Sequence, residues 1–282
     1  MPLGLQIDTL KTVADSVHAS KEGSGWILHH VMDSRIIDLS PFGEIHLPQL
    51  PLLFGIDISP TKFVVFMWLV AIILILLLMY VSKKYKSSLI PKGITNFFEI
   101  IIVFVRDEIV VLTIGKGYEK FFPYLLTIFF FILFSNMFGL IPYSITVTSN
   151  ITVTAALASL TFIATQLAGI NSYGFFGYLG RLVPHGMPKP ILPLMIVVEV
   201  LGLFTKPFAL CIRLFANMIA GHVVILSLLG LIFILHTAYV APVSIAFAIF
   251  IYLLEILVAL IQAYIFTMLS SLFIGMAVHI EH

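Results

Sequence analysis

Apolar residues run through this chain in blocks rather than in alternation, and the blocks set its plan of elements. The first runs from Phe63 to Val81, close to the roughly 20 apolar residues that cross about 30 Å of hydrocarbon. Two more blocks of spanning length follow, Phe121 to Ile141, closed by Pro142, and Ile151 to Ile170, whose Thr and Ala content permits close helix contact. Between Phe97 and Ile114 the chain is apolar again, yet Glu99 and the triplet Arg106, Asp107, Glu108 leave pieces too short to span. An interfacial or hairpin helix is predicted there, with its charges solvated. The last two blocks, Ile191 to Leu235 and Pro242 to Val278, hold roughly 40 residues each and as helices would reach about 60 Å. They predict an antiparallel hairpin, either steeply tilted or broken into shorter spans, with Pro207 the place for a kink. The fold class is therefore all-α. A membrane-embedded region at 62–282, with about five membrane helices, one interfacial helix and the hairpin at 191–280, follows an extramembrane region at 1–61.

Polar flanks give this plan a direction. Lys83, Lys84 and Lys86 follow the first block and belong on the cytoplasmic side by the positive-inside rule, which leaves the acidic N-terminal region periplasmic. The connection between the second and third blocks carries no Lys or Arg and is expected outside. The next one, with Arg181 and Lys189, is expected in the cytoplasm, as is the C-terminus. No early apolar core follows a basic start, so a cleavable signal peptide is not expected. Asn150 with Thr152 matches a glycosylation acceptor, a pattern with a high false-positive rate at a membrane boundary.

Composition agrees with the bilayer as solvent: 60% of residues are hydrophobic and 10% charged, whereas soluble domains carry about 25% charged residues. A formal net charge of +1 gives nucleic-acid binding no support. The only cysteine, Cys211, sits in an apolar stretch, which excludes a disulfide framework or Cys-based zinc site within one chain. Trp26, His29, His30 and Asp33 are too loosely spaced to define a metal site, and no glycine-rich phosphate cradle is present. Neither cofactor nor metal is expected.

Charges inside apolar helices carry the chemistry, because a centrally placed one costs from about 2.5 to more than 10 kcal/mol. They concentrate in the last hairpin: Glu199, Lys206, Arg213, Asn217 and His222 on one arm, Glu255 and Gln262 on the other. Glu199, Lys206 and Arg213 recur every seven residues and share one stripe. His222 lies nine residues past Arg213, on the opposite face and about 13 Å along the axis. In an antiparallel hairpin Glu255 comes level with His222, and Gln262 with the neighbourhood of Arg213. An arginine keeps its proton in a protein, so Arg213 can act as a fixed positive barrier but not as a relay. His222 and Glu255 can exchange protons on one side of it, and Glu199 can line a separate exit on the other. Lys206 is expected to snorkel toward the cytoplasmic surface. Taken residue by residue, other readings stand: a structurally paired arginine, a satisfied structural histidine, and amides that only bond helices together. A stand-alone secondary cation transporter and a membrane scaffold are the corresponding alternatives for the whole chain.

The run Lys206-Pro207-Phe208-Ala209-Leu210-Cys211-Ile212-Arg213-Leu214-Phe215-Ala216-Asn217-Met218-Ile219-Ala220-Gly221-His222 resembles the signature of subunit a of the F-type ATP synthase. Glu199 stands fourteen residues before Arg213, as in that family, and Glu255 to Gln262 followed by Ala263-Tyr264-Ile265-Phe266 is similar to its last helix. Ser135-Asn136-Met137-Phe138-Gly139-Leu140-Ile141-Pro142 resembles the end of its second membrane helix. The resemblance implies a stator of the bacterial inner membrane with two aqueous half-channels facing a rotating ring of c subunits. It also implies a b-subunit peripheral stalk and the rest of the complex as partners, with nucleotide chemistry left to them. Arg213 matches the essential arginine. Asn136, Asn217, His222, Glu255 and Gln262 match positions on the inlet side, and Glu199 one on the exit. Many bacterial members carry Glu at the position of His222 and His at that of Glu255, so the two residue types stand exchanged here. Protons are the expected cargo, with Na⁺ left open because the selective site belongs mainly to the ring.

Overall fold

The structure is a computed structural model that describes residues 36–38, 44–46, 59–87, 93–141, 144, 146–181, 192–235 and 240–279. Trp26, His29, His30, Asp33 and Lys189 lie outside the described residues. The helices are α1 (Lys62–Ser87), α2 (Ile94–Phe104), α3 (Phe122–Gly139), α4 (Ile151–Tyr173), α5 (Phe175–Arg181), α6 (Leu192–Leu235) and α7 (Val240–Val278). Among the described residues five of them, α1, α3, α4, α6 and α7, are long and apolar enough to cross a membrane. A short antiparallel pair, β1 (Ile36–Asp38) with β2 (Glu44–His46), adds a feature that the all-helical plan does not contain. Its six residues carry too little alternation to be read as strands in advance.

The predicted interfacial helix forms as one helical run: α2, then a π-helical stretch at Val105–Val111, then a last α-turn at Leu112–Ile114. Its charges sit on the outer side, as expected. Arg106 and Asp107 pair with each other at 2.7 Å, and Glu99 accepts a hydrogen bond from Tyr85 at 3.0 Å. The Arg106 hydrogen bond holds the Asp107 carboxyl below its ordinary range, and Asp107 in turn raises Arg106. Val105, Ile109, Val110 and Ile114 on the other face are fully buried. The wider π turn lets this face present two adjacent valine and isoleucine pairs to the core.

The two last helices run unbroken over 44 and 39 residues, so of the two alternatives the uninterrupted one holds. Pro207 lies inside α6 without ending it. In an apolar medium the backbone must satisfy its own hydrogen bonds, which favours continuing the helix past a proline. Asn150 caps α4, its side-chain oxygen accepting from the Thr152 N–H at 2.8 Å, and this accounts for the Asn-x-Thr pattern without glycosylation.

By its internal contacts the chain divides into two units: Met1–Lys62 with Asn217–Leu257, and Phe63–Ala216 with Val258–His282. Within the second, one core joins Phe98, Val105 and Ile109 to Leu125, Phe130 and Ile132 of α3, Leu210 and Leu214 of α6, and Ala263, Phe266 and Ile274 of α7. Close approach inside that core depends on Gly275, since a Cβ there would collide with the backbone carbonyl of Thr113. Thr113 also shares a hydrogen bond with Ser271 one turn earlier. Gly275→Val is expected to destabilise this unit by about 1–3 kcal/mol, because a backbone carbonyl cannot swing aside as a flexible side chain can. Thermal unfolding of the detergent-solubilised chain measures it; an unchanged midpoint would show that the contact is slack.

Candidate functional site

In the unit containing Asn217–Leu257, α6 and α7 bring His222 and Glu255 together, with Nδ1 3.7 Å from Oε1. The Glu255 side chain is buried, and its carboxylate oxygens accept no hydrogen bond among the described residues. Space for it comes from Gly221, where a Cβ would stand 2.7 Å from Oε1. The expected pairing of His222 with Glu255 is thus present in the structure. Gly221 was not singled out in the sequence, although its position directly before His222 is the one that faces the opposite arm. Asn217 is exposed on the same stretch of α6.

The other unit holds Arg213, Glu199, Lys206, Gln262 and Asn136. Arg213 is exposed on α6, and among the described residues no carboxylate of this chain pairs with it. Ala209 and Ala216 flank it on the same exposed face. Among the described residues of α6 only Leu210, Cys211, Leu214 and Met218 are buried, so most of its surface is left uncovered by the described residues of this chain. Lys206 places its ammonium over the Phe273 ring at 5.6 Å. That cation–π contact fixes to α7 a side chain expected to reach for the surface. Gln262 is buried inside the unit, whereas Arg213 faces out, so a shared level along the arms does not give them a shared environment.

Asn136 is buried near the end of α3, and its Oδ1 accepts from the Thr148 hydroxyl. Gly139, one turn on, makes this possible, since a Cβ there would occupy the place of the Thr146 side chain. The Asn136 amide nitrogen and the hydroxyl of neighbouring Ser135 are buried with no hydrogen-bond partner among the described residues. Glu199 is half-buried on α6.

The sequence profile of the family described as ATP synthase A chain matches residues 64–275, three quarters of the chain and all of the residues just described. The chain belongs to the ATP synthase subunit a family. It is 54% identical over 260 residues to the ATP synthase subunit a of Chloroherpeton thalassium, covering 90% of this chain and 77% of that one. To the ATP synthase subunit a of Pelodictyon phaeoclathratiforme it is 49% identical over 269 residues, covering 94% and 79%. To that of Anaeromyxobacter dehalogenans it is 51% identical over 272 residues, covering 88% and 69%. As a subunit a, the chain is the proton-translocating stator subunit of the F0 sector in a bacterial ATP synthase, a multi-pass membrane protein that is not itself catalytic.

Proposed function

We propose that Arg213 separates two proton half-channels and meets a carboxylate carried on a ring of c subunits. The observation that carries this is the exposed guanidinium without a carboxylate partner among the described residues, on the least buried of the candidate spans. A charge on an apolar membrane helix calls for a counter-charge, and in this reading the ring carboxylate supplies it. Ala209 and Ala216 leave room for a second helix to approach closely.

His222 and Glu255 form the proton-exchanging pair of the inlet, and by resemblance to the family Asn217, Gln262 and Asn136 stand at inlet positions. Buried polar atoms of Asn136 and Ser135 that have no hydrogen-bond partner among the described residues support water reaching Asn136. Glu199 lines the exit toward the cytoplasm. Protons enter from the periplasm, load the ring carboxylate, travel round with it, and are displaced from it by Arg213 on return. The b-subunit stalk and the remaining subunits hold this chain still while the ring turns.

The lysines after α1 and contacts at one end of the larger unit support an orientation for the chain. There Tyr173 donates to the Val278 carbonyl at 2.8 Å and the His279 ring meets the Lys116 carbonyl at 3.3 Å. The ends of α4 and α7 and the turn before α3 therefore share a side, and the positive-inside rule supports reading that side as cytoplasmic. Helices as long as α6 and α7, about 66 and 58 Å at 1.5 Å per residue, lie strongly tilted across about 30 Å of hydrocarbon.

Ring docking is tested by disulfide formation. With Ala216→Cys and a cysteine beside the ring carboxylate, oxidation of membranes should give a cross-linked product between the two subunits. Its absence, with both proteins present in the complex, would place the ring elsewhere.

A further inference from the structure

Two hydroxyls in the core of the larger unit differ from their neighbours. In an apolar helix a Ser or Thr hydroxyl commonly donates back to the carbonyl one turn earlier. Thr127, Thr161, Thr165 and Ser270 do so at 2.7–3.1 Å. Ser135 on α3 and Thr267 on α7 do not. Both are 0% exposed, and neither hydroxyl has a hydrogen-bond partner among the described residues. A buried hydroxyl left unpaired bears its whole desolvation cost, so each calls for a polar partner that the described side chains do not supply.

The two hydroxyls stand at a similar distance from one end of the unit. The His279 ring meets the Lys116 carbonyl just ahead of α3, so the start of α3 and the end of α7 lie together. From Phe122 to Ser135 the rise is about 20 Å, and from Val278 back to Thr267 about 17 Å. Asn136 and Gln262, each 1% exposed, fall at about 21 and 24 Å on the same two helices. Ile132 and Phe266 beside them belong to one core. Thr148 engages the Asn136 oxygen, and the amide nitrogen is left as a buried donor that needs an acceptor. An amide nitrogen only donates, whereas a hydroxyl both donates and accepts. Water held by Ser135 and Thr267 can therefore pass a hydrogen bond on in either direction. Buried waters typically make about three bonds to groups that would otherwise stay unpaired.

We propose that Ser135 and Thr267 bind water inside this core and carry the inlet from Asn136 across to α7. The ligand is water, held by hydroxyls of two helices in a layer bounded by apolar side chains. The proposal rests on the reading of Asn136 as an inlet residue.

Silver ions react with a thiol that water can reach, and passive proton conductance of inverted vesicles stripped of the catalytic sector, with the complete F0 sector in place, reads the result. In a Cys211→Ala parent, Ser135→Cys and Thr267→Cys should each lose conductance roughly threefold or more when Ag⁺ is added, relative to the parent. Thr267→Val keeps the shape and removes the hydroxyl. It should lower conductance roughly three- to tenfold, on the scale of losing one hydrogen bond, with F0 present in normal amounts, whereas Thr267→Ser should retain most of it. A dry core gives the opposite pattern: no response to silver, unchanged conductance in Thr267→Val and Ser135→Ala, and an unfolding midpoint that is no lower, since only an unpaired hydroxyl has gone. That pattern would overturn the proposal. Silver inhibition with normal conductance in Thr267→Val and Ser135→Ala would overturn it too, by placing the water off the proton path. Lower conductance in Thr267→Val without a silver response would make Thr267 a packing residue. Normal conductance in Asn136→Leu would remove the inlet reading, and the extension with it, even where silver shows that the water is present.

Discussion

Arg213→Ala is expected to abolish proton-driven ATP synthesis, by roughly 100-fold or more, while the complex still assembles. The scale is that of removing a preorganised charge from the place where a proton is transferred. Assembly survives because Arg213 is exposed and takes no part in the core, which its neighbours Leu210 and Leu214 join from the adjacent side of α6. In the proposed mechanism, losing the guanidinium also removes the barrier between the two half-channels. Protons can then cross without turning the ring, so the variant should be uncoupled. Arg213→Lys should not restore synthesis, since an ammonium is a compact charge without the planar fork and can give up its proton. Synthesis assays on energised vesicles, alongside immunodetection of the assembled complex, check both halves. A complex that fails to assemble would mean that Arg213 is a structural residue.

Exchanging the inlet pair should give the second largest effect. Either His222→Glu or Glu255→His alone is expected to lower synthesis about tenfold or more, because the first leaves two carboxyls and the second two imidazoles at one site. The double variant restores one acid and one base in contact and should come within about threefold of the parent, the sign of a directly coupled pair. Geometry supports the expectation: the groups stand 3.7 Å apart, and Gly221 leaves the second arm free to carry either side chain. If the double variant is no better than the worse single one, the pairing has no functional meaning.

Helix positions were legible in the sequence because each is written in apolar length. The blocks at 63–81, 121–141 and 151–170 match α1, α3 and α4 to within a few residues at most ends, and the two overlong arms match α6 and α7. The His222 and Glu255 contact was legible too, since an antiparallel hairpin fixes which residues come level. Less could be read wherever a feature depends on what another segment leaves open. Gly221, Gly275 and Gly169 matter through the Glu255 carboxylate, the Thr113 carbonyl and the Tyr178 ring, all distant in sequence. Their only signal is a small residue on an apolar helix face, which many helices show. Lys206 illustrates the same limit. Its charge was visible, but the Phe273 ring beneath it sits sixty-seven residues away. Burial could not be read for Arg213 either. A buried arginine and one exposed on its helix look alike in a single sequence, and only the three-dimensional arrangement distinguishes them.

The central claim is that protons cross by way of a carboxylate that this chain does not own. Proton flux into liposomes tests it most directly, comparing this chain alone with the purified F0 sector under the same imposed potential. The account predicts flux through the F0 sector only, lost when a carbodiimide blocks the ring carboxylate. Flux through the chain alone, or flux that survives the block, would contradict it.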